Sequence, residues 1–350
     1  MKKRDAVLMT VLLCLSLTGC TGPAESGEKP VQQIGADSKN GFYFIHAEQS
    51  GEQTLFYGDY EKQQLQPTHE VDSCPVDLKN NSGEILPFAQ EDRLLLIFTG
   101  QSGTEPARIE TRQLDGSEPE TLVEFPNGSV VSKPHVFADG KYLYLTVSSQ
   151  SETEELMRVN LKSGKYKSVL KLDVNCRETV EGAVQGRLLL RQVLRPTLGQ
   201  YYWLDPETLE QEVIFSWDPR DVHVAFRNGQ LCYWDKNDRN SGFRCLNLET
   251  GENNQLTQYT VPEKGTISVQ DMDEEHLLVW QGGTKGIVLG IHTGTMHEWD
   301  LTQTNSQQPI ERCGKTQDGR YLVRVGTEPR WALIQAEDYW NGIPDYEYFN

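Results

Sequence analysis

Positive charge is scarce in this 350-residue chain: 33 Lys and Arg stand against 51 Asp and Glu, a formal net charge of −18. A surface of that sign disfavours phosphate backbones and anionic headgroups, so no nucleic-acid partner is expected. Cysteine is sparse too, seven residues with no CxxC, which speaks against a thiol redox motif or a Cys-type zinc site. Helical periodicity is nearly absent. There is no P-loop, no GxGxxG and no GxSxG nucleophile elbow, and no spare segment for a hydrolase domain. HEVDS (69–73) and HEWDL (297–301) both lack the second His of a zinc-protease HExxH. No metal, cofactor or catalytic constellation is therefore expected.

What is present begins at the N-terminus. MKKR is a short basic segment, and AVLMTVLLCLSL (6–17) is apolar but too short to span a bilayer stably. It runs into Leu17-Thr18-Gly19-Cys20. That tetrapeptide resembles the bacterial lipobox, and the resemblance implies cleavage before Cys20 and a diacylglycerol thioether on it. Removing 1–19 takes away a net charge of +2 and leaves −20. Acyl chains, at about 0.8 kcal/mol per buried methylene, would then supply the membrane affinity. Residues 20–33 read as the lipidated Cys and a polar Gly/Pro/Glu tether. The folded domain is expected over 34–350.

The rest of the chain repeats. Strands open near Gly41 (GFYFI), Asp92 (DRLLLI), Gly140 (GKYLYL), Gly186 (GRLLLR), Gly229 (GQLCYW), Glu275 (EHLLVW) and Gly319 (GRYLVR), at steps of 43 to 51 residues. A second strand follows each copy, usually a Gly-containing turn such as LKSGK or LETGE, and then a third strand. A further short stretch precedes most copies, as in ILPFA, KPHVFA and DVHVAF. Four-stranded units at this period describe β-propeller blades, which bury both faces only when packed in a ring. The expected fold is all-β, a propeller of seven four-stranded blades, with six or eight as alternatives. The aromatic tail DYWNGIPDYEYFN (338–350) reads as the strand or latch that closes the ring. The alternative is an exposed docking surface.

Phe137-Ala138-Asp139-Gly140-Lys141-Tyr142 and Thr316-Gln317-Asp318-Gly319-Arg320-Tyr321 resemble the repeats of bacterial TolB-like and YVTN-type propellers. The repeated Gly-His and Trp-Asp of WD40 blades and the Ser-x-Asp-x-Gly-x-Thr-Trp box of sialidases are missing. LETGE looks like the Thr-Gly turn of quinoprotein blades, but that turn is generic hairpin chemistry. With its lipobox and aromatic tail, the chain resembles surface lipoproteins of Gram-positive anaerobes.

Candidate functional residues sit where propellers usually meet ligands. The strand-entry segments carry Lys133, His135, Glu178, Asp221, His223 and Arg312, which could converge near the central channel. DKNDRN (235–240) clusters oxygen ligands, but Asn240 and Leu246 stand where a calcium loop needs Gly and Glu. Cys232 and Cys245 fall on neighbouring strands and form the candidate disulfide, the alternative being two buried thiols. The expectation is a lipoprotein anchored at the cell membrane and facing the extracytoplasmic side. Its propeller binds, scaffolds or senses a protein or glycan of the envelope. The alternative is an enzyme acting on glycan or another polymer at the channel mouth.

Overall fold

In this computed structural model the described residues are 31–350 apart from 48–52, 72–83, 91, 102–104, 150–152, 236, 238–241, 261–266, 282–284, 302–309 and 327–329. Cys20 and the expected signal segment lie outside them.

A short strand, β1 (Gln32–Ile34), comes first. Blade 1 holds β2 (Gly41–Ala47), β3 (Gln53–Asp59) and β4 (Gln64–Val71), and blade 2 holds β5 (Ile85–Ala89), β6 (Leu94–Phe98), β7 (Arg108–Arg112) and β8 (Glu120–Glu124). Blade 3 is β9 (Val130–Ala138), β10 (Tyr142–Ser148), β11 (Glu154–Asn160) and β12 (Tyr166–Leu172). Blade 4 is β13 (Thr179–Val184), β14 (Arg187–Arg195), β15 (Leu198–Leu204) and β16 (Gln211–Trp217). Blade 5 is β17 (Val222–Arg227), β18 (Gln230–Asp235), β19 (Phe243–Asn247) and β20 (Asn253–Leu256). Blade 6 is β21 (Ile267–Met272), β22 (His276–Gln281), β23 (Lys285–Gly290) and β24 (Met296–Trp299). Blade 7 is β25 (Ile310–Lys315), β26 (Tyr321–Val325), β27 (Arg330–Ile334) and, after the helix α1 (Ala336–Asn341), β28 (Glu347–Tyr348). Every pairing is antiparallel, and the repeated strand of the sequence is the second strand of each blade.

Seven apolar clusters fill the seven seams between neighbouring blades. Strand β10 shows how one strand serves two of them. Leu143, Leu145 and Val147 pack into the seam with blade 2, while Tyr142 and Tyr144 enter the seam with blade 4. This is period-2 alternation with both faces buried. In β6 all five residues, Leu94 to Phe98, are buried for the same reason.

The hairpin turns are built by Asx side chains. Asp139 Oδ1 accepts the backbone N–H of Lys141 at 2.9 Å and of Tyr142 at 2.6 Å, with Gly140 at φ +83° between them. The turns after the third strands repeat the device: Asp59, Asn160, Asp205 and Asn247 each cap the two N–H groups that follow. The Asp-Gly repeat and LETGE are thus turn chemistry.

The chain ends close the ring. Blade 1 gets no full inner strand. Residues 35–38 stand in for it, with an Asp37–Phe42 bridge and the Tyr43 N–H donating to Ala36 O at 3.0 Å. The preceding strand β1 pairs with β9 of blade 3, Gln32 opposite Ala138 and Ile34 opposite Val136. Residues 31–33, expected in the tether, therefore belong to the fold. Val31 is buried in the seam between blades 3 and 4, where leaving it in water would cost its apolar area. At the other end β28 is the outer strand of blade 7. Asn350 exchanges backbone hydrogen bonds of 2.9 Å with Gln63 and Leu65 of blade 1. Phe349 meets Phe42 edge-on at 5.2 Å, and Trp331 lies 4.7 Å from Phe42. The tail is a latch, as the sequence suggested. It also contains a helix that the strand-only reading did not expect.

Phe349→Ala should lower the unfolding free energy by roughly 3–5 kcal/mol, read as a lower urea midpoint. A midpoint unchanged from wild type would show that the closing seam does not depend on the tail.

Candidate functional site

Strand β1 lies inside the central channel against β9, next to one of its mouths. Beside it opens a cleft of about 1410 Å³ formed by the turns of blades 1 to 3. Its walls come from the segment before β2 and from the connections β5–β6, β7–β8, β9–β10 and β11–β12. Four cations, Lys39, Arg93, Lys141 and Lys162, line it together with four acids, Asp37, Asp92, Glu120 and Asp139. In a chain with a net charge of −18, parity of charge makes this cleft locally cation-rich.

Three of the four acids carry structural duties. Asp139 caps its turn and accepts the Tyr144 hydroxyl at 3.1 Å. Asp92 pairs with Arg93 at 3.0 Å. Asp37 accepts the Tyr60 hydroxyl at 3.0 Å, and its carboxylate occupies the place where a Cβ on Gly314 of blade 7 would fall, 2.0 Å away. Gly314 is thus a glycine because the closing carboxylate lies on it. Burial pushes Asp37 up from its ordinary 3.8 to about 6, against the opposing bond from Tyr60.

The six sequence candidates do not gather into one catalytic centre. His135 is exposed on β9, with Nδ1 3.2 Å from Gln33 Nε2 of β1. His223, two blades away on β17, stacks on Trp234 at 4.9 Å. Asp221 is exposed and accepts from Asn237 Nδ2 at 3.0 Å. Glu178 is buried, accepting the Tyr202 hydroxyl through Oε1 and the Asp173 backbone N–H through Oε2 at 2.8 Å. Burial, then the adjacent Glu178, raises the Tyr202 hydroxyl well above its usual range. Of Lys133 only the backbone of its strand is described. Among the described residues no three His, Cys, Asp or Glu side chains are grouped to hold a metal.

Arg312 anchors the seam between blades 6 and 7. It pairs with Asp271 at 2.6 Å and lies over the Tyr321 ring at 4.6 Å and the Trp340 ring at 5.7 Å. Asp271 also accepts the Tyr339 hydroxyl at 2.9 Å, and Tyr321 donates to Asp273 at 3.1 Å. His276 stacks on Trp340 at 4.9 Å. Burial raises Asp271 despite Arg312 beside it. Helix α1 supplies Tyr339 and Trp340, which wedge the two blades together.

The candidate disulfide residues, Cys232 and Cys245, are buried directly opposite one another on β18 and β19. The sequence reading missed the channel segment and its cleft. The signal available was β-branched Val31 and Ile34 breaking an otherwise polar tether.

No protein-family model and no curated protein matches the chain. Among solved structures it is similar to oligopeptidase B from Leishmania major, with a TM-score of 0.55 at 11% identity over 92% of this chain and 48% of that one. It is similar to puromycin hydrolase with a TM-score of 0.53 at 14% identity, over 89% of this chain and 52% of the other. The chain spans about half the length of each. TolB from Acinetobacter baumannii overlays at a TM-score of 0.36 and 13% identity, over 83% of this chain and 78% of that one. At these identities the first two likenesses are of fold alone.

Two outcomes follow from the buried acids. Asp37 has a folded value above its unfolded one, so its contribution is complete below about pH 4 and is lost as pH rises through 6. Charging it at neutral pH costs up to about 3 kcal/mol. Asp37→Asn should therefore be more stable than wild type at pH 7 and equal to it at pH 4, measured by urea melts at both. Arg312→Leu leaves Asp271 buried and unpaired, and should cost about 3–5 kcal/mol at pH 8. The loss should shrink as pH falls, since burial already raises Asp271 and makes its carboxylate easier to protonate; a loss that does not change with pH would argue against the pairing.

Proposed function

We propose that this chain is a lipid-anchored, extracytoplasmic lipoprotein whose propeller is a non-catalytic module that binds an envelope protein or glycan. The carrying observation is the cleft beside β1. It is wide and carries side chains of both charges, and Asp37, Asp92 and Asp139 are each held by a turn, an arginine or a tyrosine. Such a lining offers hydrogen bonds and charge for recognition. It does not offer a pair of carboxylates free to pass a proton.

Lipidation at Cys20 would also orient the ring. From Cys20 to Val31 there are eleven residues, which reach at most about 36–40 Å. The chain enters the fold at the cleft-bearing mouth. Passing outward across the four strand gaps from β1 to β12 and then along a seven-residue strand takes about 19 Å plus about 23 Å. A tether fully stretched around the rim has no length left over, so the cleft face stays on the membrane side. A partner in the cleft is then membrane-proximal.

Cys20→Ala should release the protein from membranes into the soluble fraction, and unchanged membrane association would overturn the anchor. Capture from cell envelopes by the mature protein, compared with the Lys39→Glu/Lys162→Glu variant, checks the cleft. Recovery of the captured partner should fall at least tenfold; equal recovery would place binding elsewhere.

A further inference from the structure

We infer that Cys232 and Cys245 are built to close a disulfide across blade 5 as the chain folds in an oxidising medium. The register decides the geometry. Cys232 is opposite Cys245, and the ladder runs on without a bulge through Leu231–Leu246 and Gln230–Asn247. One step further, the Leu248 N–H donates to Gly229 O at 2.9 Å, which makes 229–248 a hydrogen-bonded pair. Antiparallel pairs alternate, so 231–246 is hydrogen-bonded and 232–245 is not. At non-hydrogen-bonded positions the Cα atoms stand about 4.5 Å apart and the side chains are at their closest. Disulfides span Cα separations of roughly 4.4–6.8 Å, so the bond needs no backbone movement.

The surroundings agree. Both side chains point into the seam between blades 5 and 6, among Trp234, Phe243, Val269 and Leu277, and both are essentially fully buried. The two thiols interact with each other, and burial pushes Cys232 well above the usual thiol range. A thiol held protonated and out of water is a poor nucleophile once the seam has formed. Closure therefore precedes docking of blade 5 on blade 6, and the finished bond is shielded from reductant. No other described cysteine has a cysteine as its register partner: Cys176 lies in a 3-10 turn and Cys313 on β25.

The chemistry is a two-step exchange with an external disulfide as oxidant. One cysteine thiolate attacks the oxidant, forming a mixed disulfide and releasing one oxidant thiolate. The second cysteine thiolate attacks the protein-bound sulfur, forming the Cys232–Cys245 bond and releasing the other. The protein gives up two electrons and two protons, and the oxidant leaves as two thiols.

The test reads the wild-type mature protein in two preparations: as isolated from the envelope, and after refolding from denaturant in a glutathione redox buffer. Each is denatured, blocked with a maleimide without reductant, digested and mapped by mass. The expected result is a cross-linked peptide carrying 232 and 245. These two positions should label only after reduction, whereas Cys176 and Cys313 label without it. Bridged protein should melt roughly 5 °C above protein reduced before refolding. Maleimide on both 232 and 245 in both preparations, without reductant, overturns the inference. Peptide mapping keeps this outcome separate from the fate of Cys20, so failure of the lipoprotein reading would not be mistaken for failure of the bridge.

Discussion

Each blade of this propeller is held by two seams and by nothing else of comparable size. A second strand such as β6 has a neighbour on either face, so all five of its residues must be apolar, and all are buried. The same requirement acts seven times around the ring, and seven separate clusters satisfy it. It also makes the fold all-or-none at the level of topology. A blade removed from the ring would expose two apolar faces at once, and at about 25 cal/mol per Å² neither face tolerates water. The one seam that chain continuity cannot enforce lies between blade 7 and blade 1.

At that seam the chain uses its two ends differently. The N-terminal segment fills the inner position of blade 1, and the C-terminal strand completes the outside of blade 7. Among the described residues no strand crosses from one blade into the other's sheet. What joins them is an aromatic cluster around Phe42, a pair of backbone hydrogen bonds at Asn350, and the Asp37 carboxylate lying on Gly314. The neighbouring seam, between blades 6 and 7, is stiffened by Arg312, Asp271 and the aromatics of α1. A buried ion pair thus braces the closing side of the ring, whereas the seam between blades 5 and 6 adds to its apolar packing side-chain bonds from Asn228 and Gln230 to the backbone carbonyls of Met272 and Asp273.

The sequence disclosed most of this because the ring imposes a pattern on contiguous residues. Strands with two buried faces read as dense runs, LLLIF or YLYL, and their spacing counts the blades. Turn positions were visible through Asp-Gly, Ser-Gly and Thr-Gly. What stayed hidden depends on residues far apart in the chain. The cleft is made by four turns and the segment before β2, spread over more than a hundred residues of chain. Arg312 finds its partner in Asp271, 41 positions away. Glu178 read as a candidate on a binding face, yet it serves a buried Tyr202, because a lone Glu next to a strand carries no mark of its burial. The three-residue strand β1 was too short to show any period at all.

That short strand has a mechanical consequence. It lies antiparallel to β9 with its chain entering from the channel mouth, so tension on the N-terminus acts along the strand axis. The rungs from Gln32 to Ile34 would then be loaded together, in shear, instead of opening one after another. The chain beyond them touches blade 2, where Gly35 O accepts the Ala89 N–H, and then enters blade 1, where Ala36 O accepts the Tyr43 N–H. Force would therefore divide among blade 3, blade 2 and the closing side of the ring. A leash fixed at the hub in this way pulls on the whole wheel and peels nothing from its edge.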